Sequence, residues 1–315
     1  MSTIEQKDFP PFDFEFDSSV GTSFQDFIRD LADMVIRRPF YKLYYQKTFG
    51  NLPYKTELTL PEKGMSSIAR RMWVNKYVPI KNSRILILGC GTGWDIGTWL
   101  YFKPREIIGI DLYNFSGCWQ KIRKYVSENN LDTKIDFYQA DIAELSKFGF
   151  EEFNIISSDA VFEHCKDLKL VMNVLYGLIG LNGIVYASYG PLWYCWGGDH
   201  FSGRGGLENG YSHLILDSES YKDYYVKYLR EPEYELQNGG RFIELDLFSK
   251  LSGAEYINIY EQAGFKVRSL IVEFCSNAMK ALEDKSLREK LLQNFPSCII
   301  EDFFLKSHLA ILSKN

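Results

Sequence analysis

Several features are scarce in this 315-residue sequence, and each scarcity excludes a class of protein. No run of about 18 or more apolar residues occurs, so the sequence predicts no transmembrane helix. The N-terminus is acidic and lacks an apolar segment of the secretory type, so we expect no ordinary signal peptide. The six cysteines are scattered without a C-x-x-C pair, which favours a reducing, cytoplasmic compartment over a disulfide framework or a zinc site.

Basic charge is also limited. Lys and Arg number 36 against 41 Asp and Glu, which gives a net charge of −5 and a pI near 5.6. A nucleic-acid-binding domain commonly has a pI above about 9 because it neutralises phosphates, so nucleic acid is not expected as the main partner. Aromatic residues, in contrast, are abundant at 16%, and the 46% of hydrophobic residues can form a full core.

The chain divides into four zones by composition and periodicity. Residues 1–80 contain an acidic tail and two predicted helices, the second near 67–77, and residues 81–190 alternate β-branched runs with amphipathic segments. Residues 191–250 are an aromatic-rich insertion after the fifth strand, and residues 251–315 complete the sheet. The alternation predicts an α/β, doubly wound, Rossmann-like sheet with an N-terminal helical extension. Its seven predicted strands cover residues 84–88, 106–110, 134–138, 153–157, 183–188, 265–274 and 308–312.

The sharpest signal is the segment RILILGCGTGWD, in which a buried strand runs into a glycine loop and then a helix. Gly89, Gly91 and Gly93 alternate there, and such glycines let the backbone turn tightly and approach a ligand. The dinucleotide fingerprint G-x-G-x-x-G needs a small third residue, but that position is Trp94 or Ile96 here. The spacing therefore favours a nucleoside without phosphates and disfavours a nicotinamide-dependent oxidoreductase.

The loop LILGCGTG resembles the first motif of the class I S-adenosylmethionine (SAM) dependent methyltransferases. The resemblance runs through residues 84–190 and resumes in 252–312. In that family the loop packs against the methionine part of SAM, which implies cofactor contacts from Gly89, Cys90, Gly91, Thr92 and Gly93. The acid often found two positions before the first glycine is Ile87 here. The resemblance therefore implies that Asp95 or the N-terminal zone replaces it in holding the SAM ammonium group.

Two further motifs follow in the order of the family. Asp111 ends the second predicted strand, where a carboxylate can accept hydrogen bonds from both ribose hydroxyls; the same residue would also suit NAD or cap a helix. By resemblance, Asp141 accepts from the adenine amino group while Ile142 stacks on the ring, although Asp141 could instead cap the next helix. The same resemblance implies cofactor contacts from Leu112 and Asp159.

Methyl transfer to a hydroxyl calls for alignment of the acceptor and a base, and histidine is the usual choice. Only four histidines exist. His200 lies in the polar segment GGDHFSGRGG and is the favoured base, with Asp199 orienting it or acting as the base itself. His164 follows the fourth strand, close to where the methyl group lies in the family, and a structural role at a helix start is its alternative. His213 and His308 are predicted to be structural.

A metal-dependent reaction would need clustered ligands. The residues that the insertion offers for this are Asp199, His200, Glu208 and His213. Nothing in their spacing enforces a cluster, so no metal site is predicted.

The aromatic surplus is uneven along the chain. Residues 1–60 hold 12 aromatic residues and residues 189–260 hold 15, and both regions lie outside the predicted core sheet. In the family, N-terminal helices and an insertion of this kind cover the substrate. The resemblance thus places six rings near the acceptor cavity: Tyr41, Tyr44, Tyr45, Trp193, Tyr194 and Trp196. Aromatic faces suit a planar natural product, a hydrophobic chain or the apolar face of a sugar, and packing of the lid onto the core is their alternative use.

The leading hypothesis is a SAM-dependent methyltransferase that acts on a hydroxyl of a small-molecule or glycan-like acceptor. A noncatalytic SAM-fold module that partners another protein is one alternative, suggested by Ile87. An RNA methyltransferase is another, for which the basic pairs Arg37–Arg38 and Arg70–Arg71 are the support, although each pair is expected on a solvated helix face. The sequence leaves the methylated atom and the oligomeric state open.

Overall fold

The computed structural model of the protein describes residues 52–62, 64–93, 95–229 and 248–314, together with six isolated positions between 28 and 43. Predictions for the acidic tail, most of the first N-terminal helix, Arg37–Arg38 and the end of the insertion fall outside the described residues. Trp94 and the tyrosines predicted near the acceptor in the N-terminal zone fall outside them as well.

One sheet contains all eight strands found in the described residues. They are β1 Leu58–Pro61, β2 Arg84–Leu88, β3 Glu106–Asp111, β4 Lys134–Gln139, β5 Phe153–Asp159, β6 Ile179–Tyr189, β7 Phe265–Phe274 and β8 Leu305–Lys314. Their order is β1-β7-β8-β6-β5-β2-β3-β4, and β8 alone runs antiparallel to its neighbours. The predicted Rossmann-like sheet is confirmed with one additional strand: β1 has only four residues, in a zone predicted to be helical, and pairs in parallel with β7.

Helices cover both faces of the sheet. They are α1 Ser67–Val74, α2 Ile96–Leu100, α3 Ser116–Glu128, α4 Leu168–Leu178, α5 Ser212–Ile215, α6 Ser218–Tyr228, α7 Gly253–Gln262, α8 Ser276–Ala281 and α9 Lys285–Asn294. Short 3-10 helices cover Ile142–Phe148, Phe162–His164, Leu207–Tyr211 and Ile300–Phe303. Helices α8 and α9 are separate because Asp284 caps α9 by accepting from the backbone N–H groups of Ser286 and Leu287.

The strands carry apolar residues on both faces. In β2, Leu86 and Leu88 belong to one buried cluster, and Ile85 and Ile87 belong to the cluster on the other side of the sheet. All five residues of β2 are buried, as expected for a central strand between two layers of helices.

The strand order reverses between β2 and β5. From β2 the chain proceeds to β3 and β4 on one side of the sheet, whereas β5 and β6 lie on the other. The loops that leave the carboxyl ends of β2 and β5 therefore diverge and open a crevice, which is where doubly wound sheets bind ligands. The glycine loop follows β2 there, and the segment 160–164 follows β5.

Candidate active site

The three glycines of the loop make room for different neighbours. Gly89, Gly91 and Gly93 have φ of 60°, 50° and 83°, a left-handed conformation that favours glycine. A Cβ at Gly89 would lie 2.3 Å from Cγ2 of Val161, and one at Gly93 would lie 2.3 Å from Cδ1 of Ile122. A Cβ at Gly91 would meet no described atom within 4 Å. The outer glycines thus accommodate the protein, while the middle one faces open space that a ligand can occupy.

Asp111, at the end of β3, holds this loop in place. Its Oδ2 accepts from the backbone N–H of Gly91 at 2.7 Å, and its Oδ1 accepts from that of Tyr113 at 2.9 Å. The indole N–H of Trp119 donates to the carbonyl of Gly91 at 2.8 Å. Burial raises the pKa of Asp111 above its ordinary value, against the opposing effect of these backbone donors. The open space at Gly91 beside a carboxylate at a strand end fits the methionine and ribose parts of SAM.

The other predicted cofactor residues lie in the segments that follow β2, β3 and β4. Cys90 is buried, Thr92 is half-buried and Leu112 is exposed. Asp141 caps the following 3-10 helix by accepting a backbone N–H at 2.9 Å, and Ile142 packs partly buried against the core. Direct contacts of these residues with SAM stay predictions.

A buried ion cluster lies between the two loops of the crevice. Arg71 is 1% exposed, and its Nη2 lies 2.9 Å from Oδ2 of Asp95 and 2.8 Å from Oδ2 of Asp159. Its guanidinium lies over the ring of Trp99, 4.2 Å from the centroid. Arg70 is also largely buried and lies 3.4 Å from Asp159. The prediction of a solvated helix face for Arg70–Arg71 was therefore wrong, because both guanidinium groups point into the protein.

Two predicted cofactor residues belong to this cluster: Asp95, predicted for the ammonium group, and Asp159, predicted as a cofactor contact. Asp159 already accepts from Tyr186 Oη at 2.7 Å in addition to both arginines, so about three of the roughly four accepting positions of its carboxylate are occupied. Ile87 is buried in the core, and Asp95 is committed to Arg71. A role for Asp95 or Asp159 toward SAM stays a prediction.

The crevice also contains a cluster that the sequence did not indicate, formed by Glu163, His164 and His200. One potential ligand atom from each residue lies within 4.8 Å of the other two. The imidazole rings of His164 and His200 are 5.0 Å apart, and the ring of Phe248 lies 4.8 Å and 5.4 Å from them. Glu163 is 1% exposed, and its Oε1 accepts from the N–H of Gly190 at 2.9 Å. Glu163 is adjacent to His164 in sequence, but nothing in the sequence indicated that His200 joins them.

The surroundings set the protonation of this cluster. Burial raises the pKa of Glu163 to about 8. Burial, with a further effect of His200, lowers the pKa of His164 to about 4. Desolvation also lowers the pKa of His200, although Asp199 opposes it. Both imidazoles are thus uncharged at neutral pH, and each offers a lone pair.

Asp199 does not hydrogen-bond to His200. Its carboxylate is completely buried and accepts from the backbone N–H and hydroxyl of Ser202, at 2.8 Å and 2.9 Å, and from Tyr221 Oη. Burial alone would raise the pKa of Asp199, but His213 and these hydrogen bonds lower it. This corrects the prediction of Asp199 as the base or as the partner of His200: the residue fixes the turn that carries His200.

The remaining histidines are structural, in agreement with the prediction. His213 bonds to the carbonyl of Trp193 at 2.7 Å, and His308 lies buried between Tyr54 Oη and Tyr189 Oη at 3.0 Å and 2.9 Å. The four ligands considered within the insertion do not gather, because His200 joins the other cluster and Glu208 is exposed.

The described rings of the insertion have two roles. Trp193 packs against Phe248, 5.2 Å between centroids, and thus lies next to the His164–His200 pair. Tyr194 packs against Phe295, and the indole N–H of Trp196 donates to a backbone carbonyl within the insertion. Most of these rings therefore pack the insertion onto the core.

Comparison with known proteins agrees with this geometry. Residues 86–187 match the methyltransferase domain family. No curated protein matches the chain by sequence.

Similar solved structures include three methyltransferases. An S-adenosylmethionine-dependent methyltransferase from Mesorhizobium loti is 16% identical, with a TM-score of 0.43 and coverage of 78% of this chain and 95% of that one. Phosphoethanolamine N-methyltransferase 2 from Haemonchus contortus is 17% identical, with a TM-score of 0.45 and coverage of 93% of this chain and 60% of that one. An arsenic(III) S-adenosylmethionine methyltransferase from Chlamydomonas reinhardtii is 15% identical, with a TM-score of 0.44 and coverage of 75% of this chain and 65% of that one.

Among the described residues, no helix has the length and apolarity needed to cross a membrane. The ligand crevice lies where the strand order reverses, and the glycine loop and Asp111 there fit SAM. Together with the domain match, these features identify residues 86–187 as a class I SAM-dependent methyltransferase domain, whose cofactor is S-adenosylmethionine.

Proposed function

We propose that the protein transfers the methyl group of SAM to a hydroxyl of a small-molecule or glycan-like acceptor. The observation that carries this proposal is the pair of imidazoles, His164 and His200, whose rings lie 5.0 Å apart beside the buried Glu163. Amines and thiolates can react once they are aligned, whereas a hydroxyl gains from a group that removes its proton. Such a pair is therefore most useful to a hydroxyl acceptor.

The chain's own groups divide the task of holding the cofactor. SAM supplies an activated methyl group on a sulfonium sulfur. In the proposal, the backbone at Gly91 binds its methionine part, Asp111 accepts from the ribose hydroxyls and Asp141 accepts from the adenine amino group. The positive φ and the open space at Gly91 support the first contact, and the position of Asp111 at the carboxyl end of β3 supports the second.

The cluster of Glu163, His164 and His200 then activates the acceptor. Val161 touches the glycine loop at Gly89, and Glu163 follows it by two residues, so cofactor loop and cluster line the same crevice. His200 is the solvent-exposed member and the simplest proton acceptor. Asp199 acts only as a positioning residue, through the hydrogen bonds that fix its turn.

Ring faces support the class of acceptor. Phe248 packs against both imidazoles, and Trp193 packs against Phe248, so apolar side chains lie next to the polar cluster. A sugar or a planar ring with a hydroxyl edge combines these two characters.

Two measurements test the proposal. Calorimetry should detect SAM binding to the wild-type protein at sub-millimolar concentration and weaker binding to Asp111→Ala; unchanged binding by that variant would contradict the cofactor site.

His200→Ala should reduce turnover with hydroxyl acceptors by about 100-fold or more while SAM binding persists. Glu208→Gln, an exposed change in the same insertion, is the matched control and should retain full turnover. Full turnover by His200→Ala would remove His200 from the reaction.

One alternative retains a specific observation. Ile87 occupies the position where the family often has an acid, which favours a noncatalytic SAM-binding module. Tight SAM binding without methyl transfer to any tested acceptor would support that alternative.

The RNA alternative loses the support of Arg70–Arg71, since these arginines are buried and paired with Asp159. A cytoplasmic location is part of the proposal because all six cysteines are free, and fewer than six alkylatable thiols in protein denatured without reductant would contradict it.

A further inference from the structure

Glu163, His164 and His200 together form a set of donors that suits a metal ion. Glu163 and His164 follow β5, whereas His200 comes from the insertion after β6. Each residue offers one atom with a lone pair, and the three atoms lie within 4.8 Å of one another. Within the described residues, this is the group of three histidine, cysteine or acidic side chains that could hold an ion.

A second observation points to a missing partner at this place. Oε2 of Glu163 is buried and accepts no hydrogen bond from any described residue, although the side chain is 1% exposed. The other oxygen is oriented by the N–H of Gly190. An unpartnered buried carboxyl oxygen costs free energy, and a cation at the cluster would offset that cost.

The two imidazoles are also free to bind. Neither the His164 ring nor the His200 ring forms a hydrogen bond with another described residue, and Phe248 packs against both. His200 has a φ of 63°, a conformation that is uncommon outside glycine and that clusters at functional sites. Hydrogen bonds to Asp199 from Ser202 fix the turn that holds it there.

We propose that Glu163, His164 and His200 bind a divalent transition-metal ion such as Zn²⁺. Two imidazole nitrogens and one carboxylate oxygen suit such an ion better than Mg²⁺ or Ca²⁺, which prefer oxygen ligands throughout. Ligand atoms about 2.1 Å from a tetrahedral ion lie about 3.4 Å apart, so atoms that now lie within 4.8 Å of one another have to approach by up to about 1.4 Å on binding. His200 is exposed and lies on a loop, which permits that movement.

This inference rests on the proposed function, and it specifies how the cluster activates the acceptor. Three protein ligands leave coordination positions open, as in catalytic zinc sites. An acceptor with two adjacent oxygens, such as a vicinal diol of a sugar, could fill them, and coordination lowers the pKa of a hydroxyl as it lowers that of water. The hydroxyl proton then passes to solvent, the O–CH3 bond forms and the S–CH3 bond breaks with its electron pair left on sulfur. His200 serves as a ligand in this form of the reaction.

Cobalt binding tests the site without reference to activity. The full-length protein, dialysed against a chelator, is titrated with CoCl2 while visible absorption is recorded, and with ZnSO4 by calorimetry. We expect one equivalent to bind. Both His200→Ala and Glu163→Gln should weaken binding by about 100-fold or more, since even residues behind metal ligands change affinity by about 10- to 100-fold. Glu208→Gln should bind like the wild type. Thermal unfolding of each variant checks that it is folded, and the exposed His200 provides the variant that keeps its fold.

Two outcomes would overturn the metal site. One is no cobalt or zinc binding at sub-millimolar concentration, and the other is equal binding by the wild type and His200→Ala. SAM binding and methyl transfer, measured on the same metal-free preparation, keep the two proposals separate. Transfer that persists at full rate after chelation overturns the metal site and leaves the proposed function standing. Absent SAM binding, with cobalt binding intact, overturns the proposed function and supports the metal site.

Discussion

The proposed cofactor side of the crevice and the proposed acceptor side are built from different kinds of group. On the cofactor side, consecutive residues of one loop present backbone to the open space at Gly91, and Asp111 fixes the loop. On the acceptor side, Glu163 and His164 meet His200 from a segment 36 residues further along the chain. The first side is a local motif, whereas the second exists only after the insertion has folded onto the sheet.

The largest expected effect concerns the ion cluster that joins the two sides. Arg71 bridges Asp95, at the start of α2 on the cofactor side, and Asp159, at the end of β5. Arg71→Met should lower the free energy of unfolding by about 3–5 kcal/mol, because it leaves the buried carboxylate of Asp95 without its charged partner and removes one of the three donors to Asp159. Urea unfolding followed by circular dichroism measures this change.

Arg70→Met is the matched control for that variant. Arg70 is more exposed than Arg71 and shares Asp159 with it, so the loss of stability should be clearly smaller. Equal losses would show that burial of Arg71 does not distinguish the two arginines, and the cluster would not be the connection between the two sides.

The same contrast explains what the sequence could predict. Strand β2, the glycine loop and Asp111 were readable because apolar runs and glycine spacing are local properties. Strand β1 was missed because four residues carry too little periodicity, and its pairing with β7 is a distant contact. Asp199 was predicted to orient His200 because the two are adjacent in sequence, but in the folded chain its carboxylate accepts hydrogen bonds from Ser202 and Tyr221. The grouping of His200 with Glu163 depends on tertiary packing and left no mark in the sequence.

An intermediate effect is expected on the stability of the protein at acidic pH, through His308. His308 in β8 is completely buried, and burial lowers its pKa to about 3, whereas the unfolded chain takes up the proton near pH 6.5. Stability is therefore complete above pH 6.5 and falls as the pH drops toward 3. Between pH 7 and pH 5 this one group should account for about 2 kcal/mol.

His308→Gln makes that prediction specific. Glutamine can still donate to and accept from Tyr54 and Tyr189, but it takes up no proton in this range. The free energy of unfolding of the variant should thus fall less steeply from pH 7 to pH 5 than that of the wild type, whatever its value at pH 7. Parallel slopes in urea titrations at several pH values would exclude His308 as the origin of the acid sensitivity.

The smallest expected effect distinguishes, in the glycine loop, the glycine that leaves room for a ligand from the one that leaves room for a protein side chain. At Gly91 a new Cβ would meet no described atom within 4 Å, so Gly91→Ala should lose only about 1 kcal/mol of stability, for the positive φ. SAM affinity should nevertheless fall by about tenfold or more, because the methyl group enters the space of the ligand. At Gly93 the Cβ would press on Ile122, so Gly93→Ala should lose more stability. SAM affinity is measured by calorimetry and stability by urea unfolding, for both variants. Unchanged SAM affinity in Gly91→Ala would mean that SAM does not occupy the open space at Gly91. The glycines of the loop would then be required only for the backbone conformation.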